Sequence, residues 1–362
     1  KRILIFRGIK MKKIKVGVIF GGQSTEHEIS VISGSSVIKN LNKEKYQICP
    51  IYISKEGNWY KYTKPVENVE IFSIGEEPKE LEKIDNVFEM LKEQEVIVPV
   101  LHGLYGEDGT IQGLLELLKV AYVGCKVLAS GICMDKVYAK IIFEKAKLNQ
   151  ANYVVISSDK ENGYTYIDEE MNHRQVKEYE IAKIVEEKLN YPVFVKPSNS
   201  GSSVGVNKAN NSEELIENIE IASKYDKEIL IEQGIIGKEV ECAVLGNENV
   251  EATCVGQIMS ADEFYDYDSK YKNSESKTVI PAKIDTEISE KIRNMAIKAF
   301  KAVGGRGLSR VDFFVENGTD EIYINEINTM PGFTTISMYP KLWEHAGLNY
   351  SELLDKLIEL AM

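Results

Sequence analysis

Carboxylate and amide side chains alternate with apolar residues between residues 310 and 332, in the segment RVDFFVENGTDEIYINEINTMPG. Two apolar runs flank a polar turn, a pattern that predicts a β-hairpin with Arg310 and Asp312 on one face of its first strand. Glu326 and Asn328 would share one face of the second strand. If Asp312 lies opposite Glu326, two carboxylates converge, and their oxygen-only surroundings favour Mg²⁺ between them. The alternative is a solvent-facing hairpin with alternating polar residues.

Serine and glycine residues follow Lys196 in the segment KPSNSGSSVG, directly after a predicted strand at residues 191–196. Their small side chains expose backbone amides and hydroxyl groups that can wrap phosphate oxygens. The spacing differs from that of a Walker A loop, and a strand rather than a helix is predicted to follow at residues 204–208. The segment therefore predicts either a phosphate-binding loop or a flexible serine-rich hairpin.

Glu26 lies between a predicted strand at residues 14–20 and a helix predicted to run to Leu41. Strand, glycine turn and helix are the opening of a doubly wound sheet, and such turns bind ligands. Thr25 and Glu28 have capping-box spacing, which predicts that Glu26 lies in the first turn of the helix. Glu26 is therefore a candidate for substrate binding, with a simple helix cap as the alternative. The dinucleotide fingerprint is missing, so NAD binding is not expected.

His102 ends a predicted strand at residues 96–101 and opens a glycine-containing loop, a position suited to orienting a ligand or to a structural role. Residues 157–190 are strongly charged and are predicted to be mostly helical. Between residues 260 and 280, a polar, tyrosine-rich stretch has no clear periodicity. A loop of that length inside a compact domain predicts a lid over a site.

The composition is that of an acidic globular protein of two or three domains, with 362 residues, 44 of them basic and 56 acidic, and a net charge of −12. That charge argues against nucleic acid and anionic membranes as partners, and no apolar run is long enough to span a bilayer. Five widely spaced cysteines without a C-x-x-C pair indicate a reducing cytoplasm rather than a zinc site or a disulfide framework. Residues 1–10 lack a signal-peptide pattern and are expected to be an upstream extension.

Eight segments, in this order, resemble the D-alanine-D-alanine ligase family of the ATP-grasp superfamily. They read GGQSTEHEIS, LHGLYGEDGTIQG, MDK, FVKPSNSGSSVG, EQGIIGKE, EFYDYDSKY, GLSRVDFF and INEINTMPGFTTISMYPKLW, and they extend from Gly21 to Trp343. The resemblance implies an ATP-grasp fold of three α/β domains, in which an N-terminal Rossmann-like substrate domain precedes the two halves of the grasp. The domains would cover residues 11–128, 129–236 and 237–362, with the lid loop 260–280 in the third.

By the same resemblance, ATP would lie between the central and C-terminal sheets together with two Mg²⁺ ions, for which Mn²⁺ is an alternative. The residues implied to hold the nucleotide are Lys136, Lys196, Ser202, Ser203, Glu232, Gln233, Ile235, Glu239, Lys270, Asn325 and Glu326. The implied metal ligands are Asp312, Glu326 and Asn328.

The resemblance also implies how two D-alanine molecules would be bound and joined. Glu26 would bind the ammonium group of the first D-alanine, and His102 would orient that molecule. Arg310 and the backbone amide of Gly332 would stabilise the oxyanion formed during acyl transfer. The remaining implied contacts are Ser202 and Tyr271, which would link the lid to the first-substrate site, and Ser337, which would help to hold the second carboxylate.

The implied activity is ATP-dependent ligation of two D-alanine molecules through a D-alanyl phosphate intermediate, for peptidoglycan precursor synthesis, by a cytoplasmic homodimer. One alternative is a variant ligase that joins D-alanine to D-serine or D-lactate. The tyrosine at position 271 argues against D-lactate, whereas the single hydroxyl group of D-serine is hard to discriminate in a small pocket. A second alternative is a non-catalytic nucleotide-binding regulator, which would not need the polar residues of the hairpin.

Overall fold

The computed structural model describes residues 12–201, 203–259 and 277–362, which form three β-sheets with flanking helices. The predicted α/β class is therefore confirmed. Each sheet uses one continuous part of the chain: residues 14–122, 153–233 and 237–328. None of the helices in the described part of the chain combines the length and the apolar character that crossing a bilayer demands.

The first sheet is the doubly wound unit that the sequence predicted. Its strands are β1 Ile14–Gly21, β2 Tyr46–Ile53, β3 Trp59–Tyr62, β4 Leu81–Lys83, β5 Val96–Val100 and β6 Ala121–Tyr122, with helices α1 His27–Asn40, α2 Val87–Lys92 and α3 Thr110–Leu118. In the order β4-β3-β2-β1-β5-β6, β1 pairs in parallel with β2 and β5. Because both faces of β1 are covered from Val16 onward, residues 16–21 are a continuous apolar and glycine run. The loops after β1 and β5 carry Glu26 and His102 at the carboxyl edge, where such sheets bind ligands.

Helix α1 begins one residue after Glu26, which occupies the N-cap position and makes no side-chain cap. The predicted capping box is wrong because Ser24 forms the turn instead. The Ser24 hydroxyl accepts a hydrogen bond from the Glu26 amide at 3.1 Å, and the Ser24 carbonyl accepts one from the His27 amide at 3.2 Å. The Glu26 side chain lines a cavity instead.

The second sheet is antiparallel and has the strand order β11-β10-β12-β7-β8-β9. Its strands are β7 Tyr153–Asp159, β8 Gly163–Ile167, β9 His173–Val176, β10 Val193–Pro197, β11 Asn207–Ala209 and β12 Glu228–Gln233, and the neighbouring helices are α4 Val127–Met134, α5 Lys136–Lys145, α6 Glu178–Lys188 and α7 Ser212–Ala222. The helical prediction for residues 157–190 is wrong before α6. The exposed edge strand β9 begins with three consecutive polar residues, which hide the two-residue periodicity of a half-buried strand.

The third sheet is also antiparallel, in the order β15-β14-β13-β16-β17. Its strands are β13 Gly237–Gly246, β14 Val250–Met259, β15 Lys277–Val279, β16 Gly307–Glu316 and β17 Ile322–Asn328, and the helices after β15 are α8 Thr286–Ala302, α9 Met338–His345 and α10 Tyr350–Ala361. One buried apolar cluster contains residues of β1 and β5 together with Leu308, Trp343 and Leu357. The first sheet and the C-terminal helices therefore share a core, which holds the loops of the first sheet beside the β16/β17 hairpin.

Candidate active site

The β16/β17 hairpin has the register on which the sequence argument depended. Asp312 pairs with Glu326, and Arg310 pairs with Asn328, across the two antiparallel strands. The prediction that Asp312 lies opposite Glu326 is confirmed. All four polar side chains therefore project from the same face of the third sheet.

A β-bulge follows this pair and changes which residues of β17 are accessible. Asp312 pairs with Glu326, but the next residue of β16, Phe313, pairs with Ile324. Asn325 is the extra residue of the bulge. Because a bulge re-aims side chains, Asn325 and Glu326 both line the cavity described below although they are adjacent in the sequence.

The guanidinium group of Arg310 is held by two carboxylates. Its Nε and Nη2 donate to the two oxygens of Asp312 at 2.7 and 2.6 Å, and Nε lies 3.2 Å from Oε2 of Glu241. Burial opposes the charge of Arg310, but Asp312 and Glu241 hold its pKa well above the usual value. Arg310 is therefore fixed as a cation beside the hairpin carboxylates.

Asp312, Glu326 and Asn328 form an oxygen-bearing set that fits Mg²⁺. Nδ2 of Asn328 lies 3.0 Å from Oδ2 of Asp312 and 3.5 Å from Oε1 of Glu326, so both carboxylates converge on one amide. Within the described ranges, no group of three or more His, Cys, Asp or Glu side chains could hold a metal ion unaided. Mg²⁺ suits such a set, because it takes one or two carboxylates and completes its coordination with water and phosphate oxygens.

A cavity of about 530 Å³ lies in front of the hairpin and is lined by residues of the second and third sheets. Many residues of the predicted nucleotide set line it: Lys136, Lys196, Ser203, Glu232, Gln233, Ile235, Glu239, Asn325 and Glu326. Glu26 and Glu107, from the loops of the first sheet, also line it. We call the part lined by Lys136, Lys196 and Glu232 the lysine end and the part lined by Glu26 and Glu107 the carboxylate end.

At the lysine end, the Glu232 carboxylate forms ion pairs with both Lys140 and Lys196. Burial acts to raise the pKa of Glu232, but the two lysines lower it to about 2. One carboxylate thus faces two ammonium groups, and the excess positive charge suits a phosphate group. Sequence reasoning missed Lys140, which is 2% exposed. Its position four residues after Lys136 on α5 was the available signal, because this spacing places both lysines on one helix face.

Lys136 joins helix α5 to the serine- and glycine-rich loop. Its Nζ donates to the carbonyl oxygen of Ser200 at 2.5 Å, and its amide donates to the carbonyl oxygen of Ser198 at 3.1 Å. The loop connects the antiparallel strands β10 and β11, so the predicted strand after it is confirmed, although it begins only at Asn207. The loop therefore lies against the first turn of α5, with Ser203 on the cavity wall.

At the carboxylate end, Glu26 lies against two glycines from different loops. A Cβ atom at Gly103 would lie 2.5 Å from Oε2 of Glu26, and a Cβ atom at Gly201 would lie 2.6 Å from the same oxygen. Any larger residue would displace the carboxylate, so glycine permits this close approach. The environment of Glu26 is thus built by loops of both the first and the second sheet.

Glu107 is a second, half-buried carboxylate at this end, and sequence reasoning missed it. Its Oε2 accepts a hydrogen bond from the Gly103 amide at 2.7 Å, and its Oε1 accepts one from the Met330 amide at 3.1 Å. Burial, followed by the charge of Glu26, raises the pKa of Glu107 to about 8. The available signal was a carboxylate inside the glycine loop that also carries His102.

His102 lies behind the cavity and is not among the described residues that line it. Its Nδ1 lies 3.0 Å from the carbonyl oxygen of Met330, and its Nε2 lies 3.0 Å from Oγ of Ser33. Burial lowers the pKa of His102 to about 4, so the ring is neutral at neutral pH. Both ring nitrogens are occupied by contacts to protein groups, Nδ1 to Met330 and Nε2 to Ser33.

Gly332 and Ser337 are neighbours at the end of the hairpin. A Cβ atom at Gly332 would lie 2.8 Å from Oγ of Ser337. The same hydroxyl lies 2.7 Å from Oγ1 of Thr334 and accepts a hydrogen bond from the Thr334 amide at 3.1 Å. Three predicted site residues lie outside the described residues, as does most of the predicted lid: Ser202, Lys270 and Tyr271.

Family profiles match most of the chain. The profile described as D-ala D-ala ligase N-terminus matches residues 15–125, and the profile described as D-ala D-ala ligase C-terminus matches residues 142–359. The chain belongs to the D-alanine-D-alanine ligase family. Its three sheets are accordingly those of the multi-domain ATP-grasp fold, as predicted.

Individual members of the ligase family align over nearly the whole chain. D-alanine--D-alanine ligase B from Clostridium tetani is 50% identical over 363 residues, which cover 99% of this chain and 97% of the relative. The D-alanine--D-alanine ligase from Clostridium acetobutylicum is 51% identical, and the match covers 97% and 98% of the two chains.

Solved structures of the family show the same fold. The VanG D-Ala:D-Ser ligase from Enterococcus faecalis has a TM-score of 0.83 at 38% identity, covering 97% of this chain and 100% of that one. The D-alanine-D-alanine ligase from Coxiella burnetii has a TM-score of 0.80 at 32% identity, covering 97% and 94%.

Proposed function

We propose that the protein joins two D-alanine molecules to D-alanyl-D-alanine, with conversion of ATP to ADP and phosphate. The observation that carries the proposal is one cavity that is lined by Lys136 and Lys196 at one end and by the carboxylates Glu26 and Glu107 at the other, in a chain of this ligase family. The family relationship supplies the identity of the substrates. The product would serve peptidoglycan precursor synthesis.

The lysine end is suited to the first half of the reaction. A carboxylate is a poor acyl donor, so the first D-alanine is activated when its carboxylate oxygen attacks the γ-phosphorus of ATP, giving D-alanyl phosphate and ADP. Negative charge accumulates on the phosphoryl oxygens, and Lys136 and Lys196 stabilise it. Mg²⁺, when bound by Asp312, Glu326 and Asn328, supplies further neutralisation of that charge. We assign two such ions, with Mn²⁺ as a substitute.

Residues at the junction of β12 and β13 would frame the rest of the nucleotide. The set comprises Glu232, Gln233, Ile235 and Glu239, with Ser203 at the phosphates and Asn325 beside Glu326. Gln233, Ile235 and Glu239 line the cavity wall next to the two lysines, which supports this assignment. The backbone of residues 233–236 links the second and third sheets. The nucleotide would therefore bind between these two sheets.

The carboxylate end is suited to the second half of the reaction. Glu26 would bind the ammonium group of the first D-alanine, and Ser337 would help to hold the carboxylate of the second. The amine of the second D-alanine attacks the acyl carbon, and the resulting oxyanion would be met by Arg310 and the Gly332 amide. Collapse of this intermediate expels phosphate and leaves the new peptide bond.

The site must close over its substrates before the reaction begins. D-Alanyl phosphate hydrolyses readily, so water must be excluded before it forms. We assign this task to the lid loop 260–280, with Lys270 at the γ-phosphate and with Ser202 and Tyr271 linking the lid to the first-substrate site. His102 would act on the first substrate through the loop that it helps to hold.

D-Serine is the second candidate acceptor. It is favoured by one observation, the similarity of the chain to the VanG D-Ala:D-Ser ligase. The test is an ADP-release assay with D-alanine alone and then with D-serine, D-lactate or L-alanine added, with the product identified by mass. We expect D-alanyl-D-alanine as the main product. A D-serine product dominating at equal concentrations would replace the proposal, and absence of ADP release with D-alanine and Mg²⁺ would overturn it.

The family membership also bears on the domains, the oligomeric state and the cell compartment. We propose three domains at residues 11–128, 129–236 and 237–362, supported by the division of strands among the sheets. We further propose a homodimer in the cytoplasm, where ATP is available and where cysteines stay reduced; the five cysteines are free. Sedimentation at several protein concentrations tests the dimer, and a monomer throughout would contradict it.

A further inference from the structure

The segment from Met330 to Phe333 is held by a closed series of hydrogen bonds that the steps above do not use. The Phe333 amide donates to Oγ of Ser33 at 3.2 Å, and Ser33 lies 3.0 Å from Nε2 of His102. Nδ1 of His102 lies 3.0 Å from the carbonyl oxygen of Met330, whose amide donates to Glu107 at 3.1 Å. Glu107 also accepts a hydrogen bond from the amide of Gly103, the residue after His102, at 2.7 Å, and this closes the series.

The carbonyl oxygen of Met330 determines which atoms of His102 and Ser33 carry hydrogen. The carbonyl oxygen of Met330 can only accept, so Nδ1 of His102 carries the hydrogen and Nε2 is an acceptor. Ser33 must then donate its hydroxyl hydrogen to Nε2, which leaves its lone pairs for the Phe333 amide. Each member has one defined role, and Ser33, His102, Met330 and Phe333 are all buried. Such a fully satisfied buried network holds a single geometry.

Gly332 lies between the two anchored residues of this segment. Pro331 has no amide hydrogen and a fixed φ angle, while Met330 and Phe333 are bonded to the network on either side. The hydroxyl of Tyr350 also donates to the carbonyl oxygen of Phe333. The amide of Gly332 takes no part in the series, so its direction is set by its neighbours.

We propose that Ser33 and Glu107 are positioning residues that aim the Gly332 amide at the oxyanion of acyl transfer. This inference rests on the proposed function, in which that amide is an oxyanion donor. Ser33 lies on helix α1 and Glu107 in the loop after β5, so two elements of the first sheet set the geometry of a donor that follows the third sheet. Neither side chain needs to touch the reacting atoms for this role.

The test separates the two halves of the reaction in Ser33→Ala. In a rapid acid quench of the first turnover, we expect ADP to form within about twofold of the unmodified rate and the dipeptide to form about 10- to 100-fold more slowly. Ser33→Thr, which retains the hydroxyl, should restore most of the dipeptide rate. The matched control is Ser36→Ala: Ser36 is equally buried on α1, and its hydroxyl has no hydrogen-bond partner among the described residues.

Equal slowing of ADP and dipeptide in Ser33→Ala, or behaviour identical to that of Ser36→Ala, would overturn the inference. If Ser33→Ala does not fold, the rates of ADP and dipeptide formation are measured in Glu107→Gln instead. This nearly isosteric change weakens the contacts of Glu107 with Gly103 and Met330. An unmodified enzyme that makes no dipeptide would instead refute the proposed function. The two failures are therefore distinguishable in one set of measurements.

Discussion

The lysine end and the carboxylate end of the cavity both bury charged groups, but they leave opposite charges in excess. At the lysine end, two ammonium groups share Glu232 and lower its pKa to about 2. At the carboxylate end, Glu26 and Glu107 crowd together, and the pKa of Glu107 rises to about 8. The proposed ligands match this difference, a phosphate beside the lysines and an ammonium group beside the carboxylates. Burial strengthens both attractions, because water screens them little.

Between the two ends stands the hairpin, where cation and carboxylates are already paired. Arg310 is bonded to Asp312 through two hydrogen bonds and approaches Glu241. The hairpin is therefore preorganised, whereas each of the two ends groups like charges together. The following changes test that contrast, beginning with the largest expected effect.

Replacing Glu326 by alanine should abolish ATP turnover, with a loss of about 1000-fold or more, because it removes a metal ligand at the site of phosphoryl transfer. ADP release and Mg²⁺-dependent nucleotide binding are the measurements. Glu321→Ala removes an exposed carboxylate of the same hairpin and should retain activity. Unchanged turnover in Glu326→Ala would remove the metal assignment.

Replacing Arg310 by lysine keeps a positive charge but loses the two-pronged contact with Asp312. Dipeptide formation should fall by about 100- to 1000-fold, the usual cost of one oxyanion donor. Steady-state kcat for the dipeptide measures the effect, and Arg306→Lys, at a half-exposed position just before β16, is the control. A kcat within about threefold of the unmodified value would show that Arg310 only supports Asp312.

Replacing Lys140 by methionine leaves Glu232 with Lys196 alone, so Lys196 is neutralised within the protein and is less available to phosphate. The KM for ATP should rise about tenfold, the equivalent of one charge-assisted hydrogen bond, while the KM for D-alanine stays nearly constant. Lys145→Met, an exposed position on the same helix, is the control. An equal rise in both KM values would indicate a general structural defect instead.

Replacing Glu107 by glutamine should remove a pH dependence of stability. The folded-state pKa of about 8 lies above the unfolded value of about 4.3, so the stability contributed by the protonated carboxyl is present at acid pH and is lost as the pH rises through about 8. Glu26 strengthens this shift, while Arg310 and the amides of Gly103 and Met330 oppose it.

Thermal unfolding at several pH values measures this effect. Between about pH 5 and pH 9, the unfolding temperature of the unmodified protein should fall by a few degrees relative to Glu107→Gln. A constant difference between the two proteins would mean that Glu107 keeps one protonation state across this range, and the raised pKa at the carboxylate end would then be wrong.

Sequence reasoning could predict the parts of the site whose residues lie close together in the chain. Asp312 and Glu326 are separated by a short turn, so strand alternation and the hairpin were enough to place them face to face. The bulge at Asn325 was not predicted, because it depends on which residues of β17 pair with β16. Edge strand β9 was mistaken for part of a helix, because three consecutive exposed polar side chains show no two-residue alternation.

The sequence by itself determined the fold class, the hairpin with its polar face, the loop after Lys196 and the resemblance to the ligase family. All of these depend on local periodicity or on the order of segments. Only the tertiary structure decided that Lys140 shares Glu232 with Lys196, and that Ser33, His102 and Glu107 surround Met330 and Phe333. These contacts join residues up to 300 positions apart. Their geometry is set by how the sheets pack, which no local pattern of residues encodes.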